Sequence, residues 1–166
     1  APHILPVLLY LIHLPLSGIF TYLFVKDQKI NSAIAFLSGL FYMLAGCVVS
    51  LINAGQDGRL MVNCLLPGVI FFINRGYERN RIFYFILAGI FFGLTVLSPH
   101  VQMAYYLVLA SFCFVIFKTI LVWQGKGFKA IFKPGLSYIL SGIIGVGLAA
   151  CFILPILYYI QFSPRG

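Results

Sequence analysis

Acidic residues are almost missing from this chain. Its 166 residues include three, Asp27, Asp57 and Glu78, against eleven Lys and Arg. Charged residues of both signs make up 8%, where a soluble globular domain carries about 25%. So few charges cannot keep a water-facing surface of this size solvated. Hydrophobic residues make up 62%, so apolar side chains must face lipid as well as each other. No soluble core is needed to hide them when the bilayer is the solvent.

Other absences narrow the field. The four cysteines, Cys47, Cys64, Cys113 and Cys151, all lie in apolar runs, with no CxxC pair and no His at metal-ligand spacing. They read as small buried hydrophobes rather than as disulfide or metal partners. No GxxxxGK[ST], HExxH or GxSxG motif is present. The net charge of +8 does not mark a nucleic-acid binder, because its Lys and Arg sit in short gaps between apolar runs rather than on a polar face. No internal repeat is visible. No basic n-region precedes the first apolar run, so no signal peptide is read. The chain is expected to be a segment of a longer protein.

What is present is six apolar runs, roughly Ile4–Phe24, Ser32–Asn53, Leu60–Asn74, Ile82–Leu97, Val101–Trp123 and Leu136–Ile160. A helix needs about 20 residues to cross a ~30 Å core. The third and fourth runs are shorter, and at 1.5 Å per residue the third reaches only about 22 Å. Re-entrant hairpins are the alternative there. The runs lack the alternation of a lipid-facing barrel, so the expected fold is all-α, a polytopic transmembrane bundle of about six spans in one domain.

The basic residues orient that bundle. Lys26 and Lys29, then Arg75, Arg79 and Arg81, then Lys118, Lys126, Lys129 and Lys133 fall in alternate gaps and hold nine of the eleven cations. The positive-inside rule assigns those gaps to the cytoplasmic side and both ends of the segment to the outside. The alternation requires the short third and fourth runs to cross. Gly89 with Gly93, and Ser141, Gly145 and Ala149, form small-residue ridges that let backbones approach closely, read here as packing within the bundle. Pro6, Pro15, Pro67 and Pro155 are expected to kink their helices, with neighbours satisfying the freed carbonyls. The Trp123–Lys133 stretch, WQGKGFKAIFK, reads as a loop on anionic headgroups.

The outer turns collect the unusual polar residues: GQDGRL at Gly55–Leu60, SPHVQMAYY at Ser98–Tyr106 and QFSPRG at Gln161–Gly166. They bring Asp57, Arg59, His100, Gln102 and Arg165 to one end, whereas the inner turns look basic and otherwise ordinary. Each residue also has a plain reading. Asp57 and Arg59 could cap helix ends around Gly55 and Gly58. His100 could be a solvated loop residue. Gln102, Tyr105 and Tyr106 share a helix face, and interfacial tyrosines are usually belt anchors. His13, near the middle of the first span, could be functional or simply bonded to a neighbouring helix. Arg165 could anchor the last helix. Taken together, Arg and His suit a phosphate, and a nearby carboxylate suits a base or a divalent cation.

In order and spacing, the turns G-x-D-G-R-L and H-x-Q-x-x-Y-Y and the closing stretch from Pro155 through Tyr159 and Ser163 to Arg165 and Gly166 resemble the YfhO-like bacterial membrane proteins. The resemblance covers about Gly18 to Gly166. That family more often has His at Gln56 and Pro at Val101. It is similar to GT-C glycosyltransferases, whose catalytic acid lies in a large first outer loop upstream of this segment. The resemblance implies part of a glycosyltransferase in the bacterial cytoplasmic membrane. It would move a sugar from a polyprenyl-phosphate donor to a cell-envelope acceptor on the outer face. Asp57 and His100 are then the catalytic candidates, and Arg59, Gln102, Tyr105 and Arg165 the substrate-binding ones. No cofactor is assigned, and a divalent cation is the one candidate. Membrane lipids and the lipid-linked sugar are the expected partners, nucleic acid is not, and the oligomeric state is open. A transporter or flippase, or a non-catalytic membrane subunit, remains the alternative.

Overall fold

A computed structural model describes residues 4–98, 100–160 and 162. Every element among them is helical. Helix α1 is Ile4–Asp27, α2 Ser32–Met43, α3 Gly46–Asn53, α4 Asp57–Arg79, α5 Ile82–Leu97, α6 Val101–Lys126 and α7 Phe132–Ile160; a short 3-10 turn, Phe128–Ile131, joins the last two. Five segments are long and apolar enough to cross a membrane, α2 and α3 counting together as Ser32–Asn53.

Two of these elements differ from the expected runs. The third run is not short: α4 extends over 23 residues, about 34 Å, because its polar ends are held by tertiary bonds. The second run is broken at Leu44–Ala45, where Ala45 adopts an extended conformation as the N-cap of α3. Helix α5 keeps its 16 residues, about 24 Å, a length that a bilayer accommodates by local thinning.

Contacts between helices fix their directions. Helices α1 and α4 run parallel, since Tyr10 meets Asp57 near one end and Asp27 meets Arg75 near the other. Helix α6 runs parallel to α4, through Arg59–His100 and Glu78–Lys118. Helices α5 and α7 are parallel to each other: a Cβ on Gly89 would meet Ser141 and Ile144, and one on Gly93 would meet Gly145 and Leu148. The short α5 therefore traverses the bundle as a full pass.

The small-residue ridges do pack inside the bundle. A Cβ on Gly89 would lie 2.7 Å from the Ser141 carbonyl oxygen, so glycine is required for α5 and α7 to approach this closely. A second close crossing joins α1 to α2, where a Cβ on Gly39 would come 2.5 Å from the Gly18 carbonyl oxygen. The main core lies between α4, α5 and α6 around Val69, Ile73, Phe85 and Leu107. The cysteines depart from expectation, because only Cys64 is buried and Cys47, Cys113 and Cys151 lie on the outside of the bundle.

Proline is accommodated as expected in α4. Pro67 has no N–H, so the carbonyl of Asn63 loses its helical donor. The Tyr42 hydroxyl of α2 donates to that oxygen at 2.9 Å.

Candidate functional site

The polar end of the bundle is built by a helix stop and a helix start. Helix α3 ends in a Schellman turn: Gly55 takes φ +64°, its N–H reaches the Ile52 carbonyl at 3.1 Å, and the Gln56 N–H reaches Leu51 at 3.0 Å. Glycine is needed at Gly55 because that φ strains any residue with a Cβ. The turn leads directly into α4, with Gln56 as its N-cap and Asp57 in its first turn, where the helix dipole favours an anion. Gly58 belongs to the helix and is buried.

Asp57 does more than complement the dipole. It accepts a hydrogen bond from the Tyr10 hydroxyl and so fastens α4 to α1. Arg59, two residues on, donates from Nε to Nε2 of His100 at 2.8 Å. His100 is the N-cap of α6, and its carbonyl accepts from the N–H groups of Met103 and Ala104. Because Nε2 accepts, the imidazole carries its proton on Nδ1 in this arrangement. Among the described residues that Nδ1 is buried without a partner, as is Oε1 of Gln56. The Arg59 bond occupies Nε and leaves the two terminal guanidinium nitrogens for another acceptor. Beneath these groups Val48, Leu60 and Cys64 pack with Leu9 and Leu14 into an apolar floor.

The other expected residues fall elsewhere. Gln102 lies on the exposed side of α6 and donates to the Tyr106 hydroxyl at 3.1 Å. Tyr105 is on the same exposed side. Neither is hydrogen-bonded to Arg59 or His100. Arg165 lies outside the described residues. His13 bonds through Nδ1 to the Leu9 carbonyl of its own helix at 2.9 Å, rather than to a neighbouring one. Tyr10 escapes a sequence reading because it sits within an apolar run; its only signal is sharing a helix face with His13 at i, i+3.

The opposite end is more than a set of basic turns. Arg75 holds Asp27 with two bonds, Nε to Oδ2 at 2.6 Å and a terminal nitrogen to Oδ1 at 2.8 Å. Its guanidinium also lies 5.2 Å from the centre of the Phe71 ring. Asn74, fully buried, donates to Glu78 at 3.0 Å, and Lys118 approaches the same carboxylate at 3.7 Å. Tyr77 meets Thr119 at 2.8 Å. These bonds tie α1 and α6 to α4.

Among the described residues no three His, Cys, Asp or Glu side chains come together, and Asp57 has the cation Arg59 close by in sequence. No family model matches the chain, and no curated protein or solved structure matches it either.

Proposed function

We propose that this chain is part of an integral membrane glycosyltransferase that uses a polyprenyl-phosphate sugar at the end of the bundle carrying Asp57, Arg59 and His100. The observation that supports this reading is the Arg59–His100 bond. It holds a guanidinium by Nε, at the end remote from the cationic gaps, with its terminal nitrogens open to a phosphate. In this proposal the nine cations face the cytoplasm, and the Asp57 end faces outward in a bacterial cytoplasmic membrane. Arg59 neutralises the donor phosphate, His100 fixes the guanidinium, and Asp57, oriented by Tyr10, accepts the proton of the incoming hydroxyl. The bond from sugar to phosphate oxygen breaks as the new glycosidic bond forms. Gln102, Tyr105 and Arg165 are proposed contacts to the rest of the donor. The resemblance to YfhO-like proteins supports the same reading.

One observation favours a second reading, a non-catalytic membrane subunit. Tyr10–Asp57 and Arg59–His100 each join two helices, as purely structural bonds would. A transporter has less support, since Asn63 and His13 bond carbonyls of their own helices rather than lining a path.

Transfer from a polyprenyl-phosphate hexose in proteoliposomes separates the readings. Arg59→Ala and His100→Ala should each lower transfer about 100-fold, the usual cost of removing one positioned donor to a developing charge, with the amount of folded protein unchanged. Unchanged transfer refutes the glycosyltransferase assignment. Loss of folded protein in step with activity supports the structural reading.

A further inference from the structure

The cationic end of the bundle holds a groove that the proposed site does not use. Its volume is about 970 Å³, and the start of α5, the end of α6, the 3-10 turn and the start of α7 wall it with residues such as Ile82, Thr119, Phe128 and Leu136. The lining is almost wholly apolar, and among the described residues its one cation is Lys133. The volume falls within the ~300–1,000 Å³ of small-molecule sites. Gly135 lines the groove, and a Cβ there would meet nothing within 4 Å, so a larger side chain can be placed in it.

The charges around it are unbalanced. Of the three acids in the chain, Asp27 is bound to Arg75 and Glu78 is approached by Lys118. The third, Asp57, lies at the opposite end with Tyr10. No side-chain carboxylate is left for Lys133, or for Lys129 on the 3-10 turn beside it. An apolar groove rimmed by uncompensated cations fits a ligand with a long apolar tail and an anionic head.

We propose that this groove is a specific site for an anionic phospholipid, with an acyl chain along the apolar walls and the phosphate at Lys133, assisted by Lys129. A zwitterionic lipid would fill the same walls without compensating the cations. The proposal needs this end of the bundle to lie at a membrane surface, and it does not depend on glycosyl transfer.

Trp123, the single tryptophan, reports on the groove. It lies one turn beyond the lining residue Thr119 and is 56% exposed. Its fluorescence would be measured in liposomes as brominated-chain phosphatidylglycerol or brominated-chain phosphatidylcholine replaces the unlabelled lipid. Phosphatidylglycerol should quench at lower mole fraction, by about fivefold for each lysine that contacts it. Lys133→Gln should reduce that preference about fivefold, and Lys129→Gln should reduce it further. Gly135→Phe projects a ring into the groove and keeps both charges, and should weaken the preference while helicity by circular dichroism is unchanged. Equal quenching by the two lipids overturns the proposal. So does a preference left unchanged by Lys133→Gln, or one left unchanged by Gly135→Phe, since charge elsewhere on the surface would then be the cause.

Discussion

Replacing Tyr42 by Phe removes one oxygen and should expose the cost of Pro67. The Asn63 carbonyl cannot accept from residue 67, and the Tyr42 hydroxyl is the donor that reaches it. In lipid no water replaces a lost donor. A buried acceptor left without one costs about 1–3 kcal/mol. Hydrogen bonds between membrane helices more often measure about 0.6 kcal/mol, with a maximum near 1.7. The upper part of that range applies here, because the usual helical alternative is blocked; Tyr42→Phe should cost about 1.5 kcal/mol. In a Pro67→Ala background the backbone N–H restored at position 67 can close the helical bond to Asn63, and the same substitution should cost less than about 0.5 kcal/mol. The coupling is then about 1 kcal/mol, and the cycle cancels the volume lost with the proline ring. Reversible unfolding in mixed detergent micelles, followed by far-ultraviolet circular dichroism, measures all four proteins. An equal cost of Tyr42→Phe in both backgrounds would show that the tyrosine does not serve the carbonyl freed by proline.

Two further perturbations test the packing. Arg75→Met strands the carboxylate of Asp27, whose side chain is 13% exposed. It should cost about 3 kcal/mol, and adding Asp27→Asn should recover more than half of that, as for other half-buried ion pairs; strictly additive losses in the same unfolding assay would contradict the pairing. Gly89→Leu drives a side chain against the Ser141 backbone and should cost about 1–3 kcal/mol. Gly142→Leu, with nothing within 4 Å of its Cβ, should stay within about 0.5 kcal/mol of the parent, and a similar loss in both would remove the special status of the α5–α7 crossing.

Much of this architecture is legible in the residues because lipid imposes a simple rule. Apolar runs become helices, and the small-residue ridges of Gly89–Gly93 and Ser141–Ala149 mark a close contact between two of them. The full length of α4 was hidden, since Asp57, Arg59, Asn74, Arg75 and Glu78 lower its apparent hydrophobicity and reveal their partners only in three dimensions. The break between α2 and α3 has no local signal beyond Gly46. At the candidate site the turn of Gly55 and the shared end of Asp57, Arg59 and His100 could be read from motif and alternation. Pairwise choices could not: Tyr10 is one tyrosine among ten, and nothing in the sequence says that Asp57 meets it rather than Arg59. The direction taken by Gln102 and Tyr105 depends on the rotation of α6, which only packing sets.

The direct test of the membrane arrangement is accessibility of single cysteines in intact cells, after replacement of the four native ones. Ala54→Cys lies in the exposed turn before Gln56, and Lys129→Cys in the exposed turn at the cationic end. A membrane-impermeant maleimide added outside should label position 54 and leave position 129 unlabelled until the cells are opened. Labelling of position 129 with silence at position 54 would invert the bundle and place Asp57, Arg59 and His100 in the cytoplasm, contradicting the outer-face site.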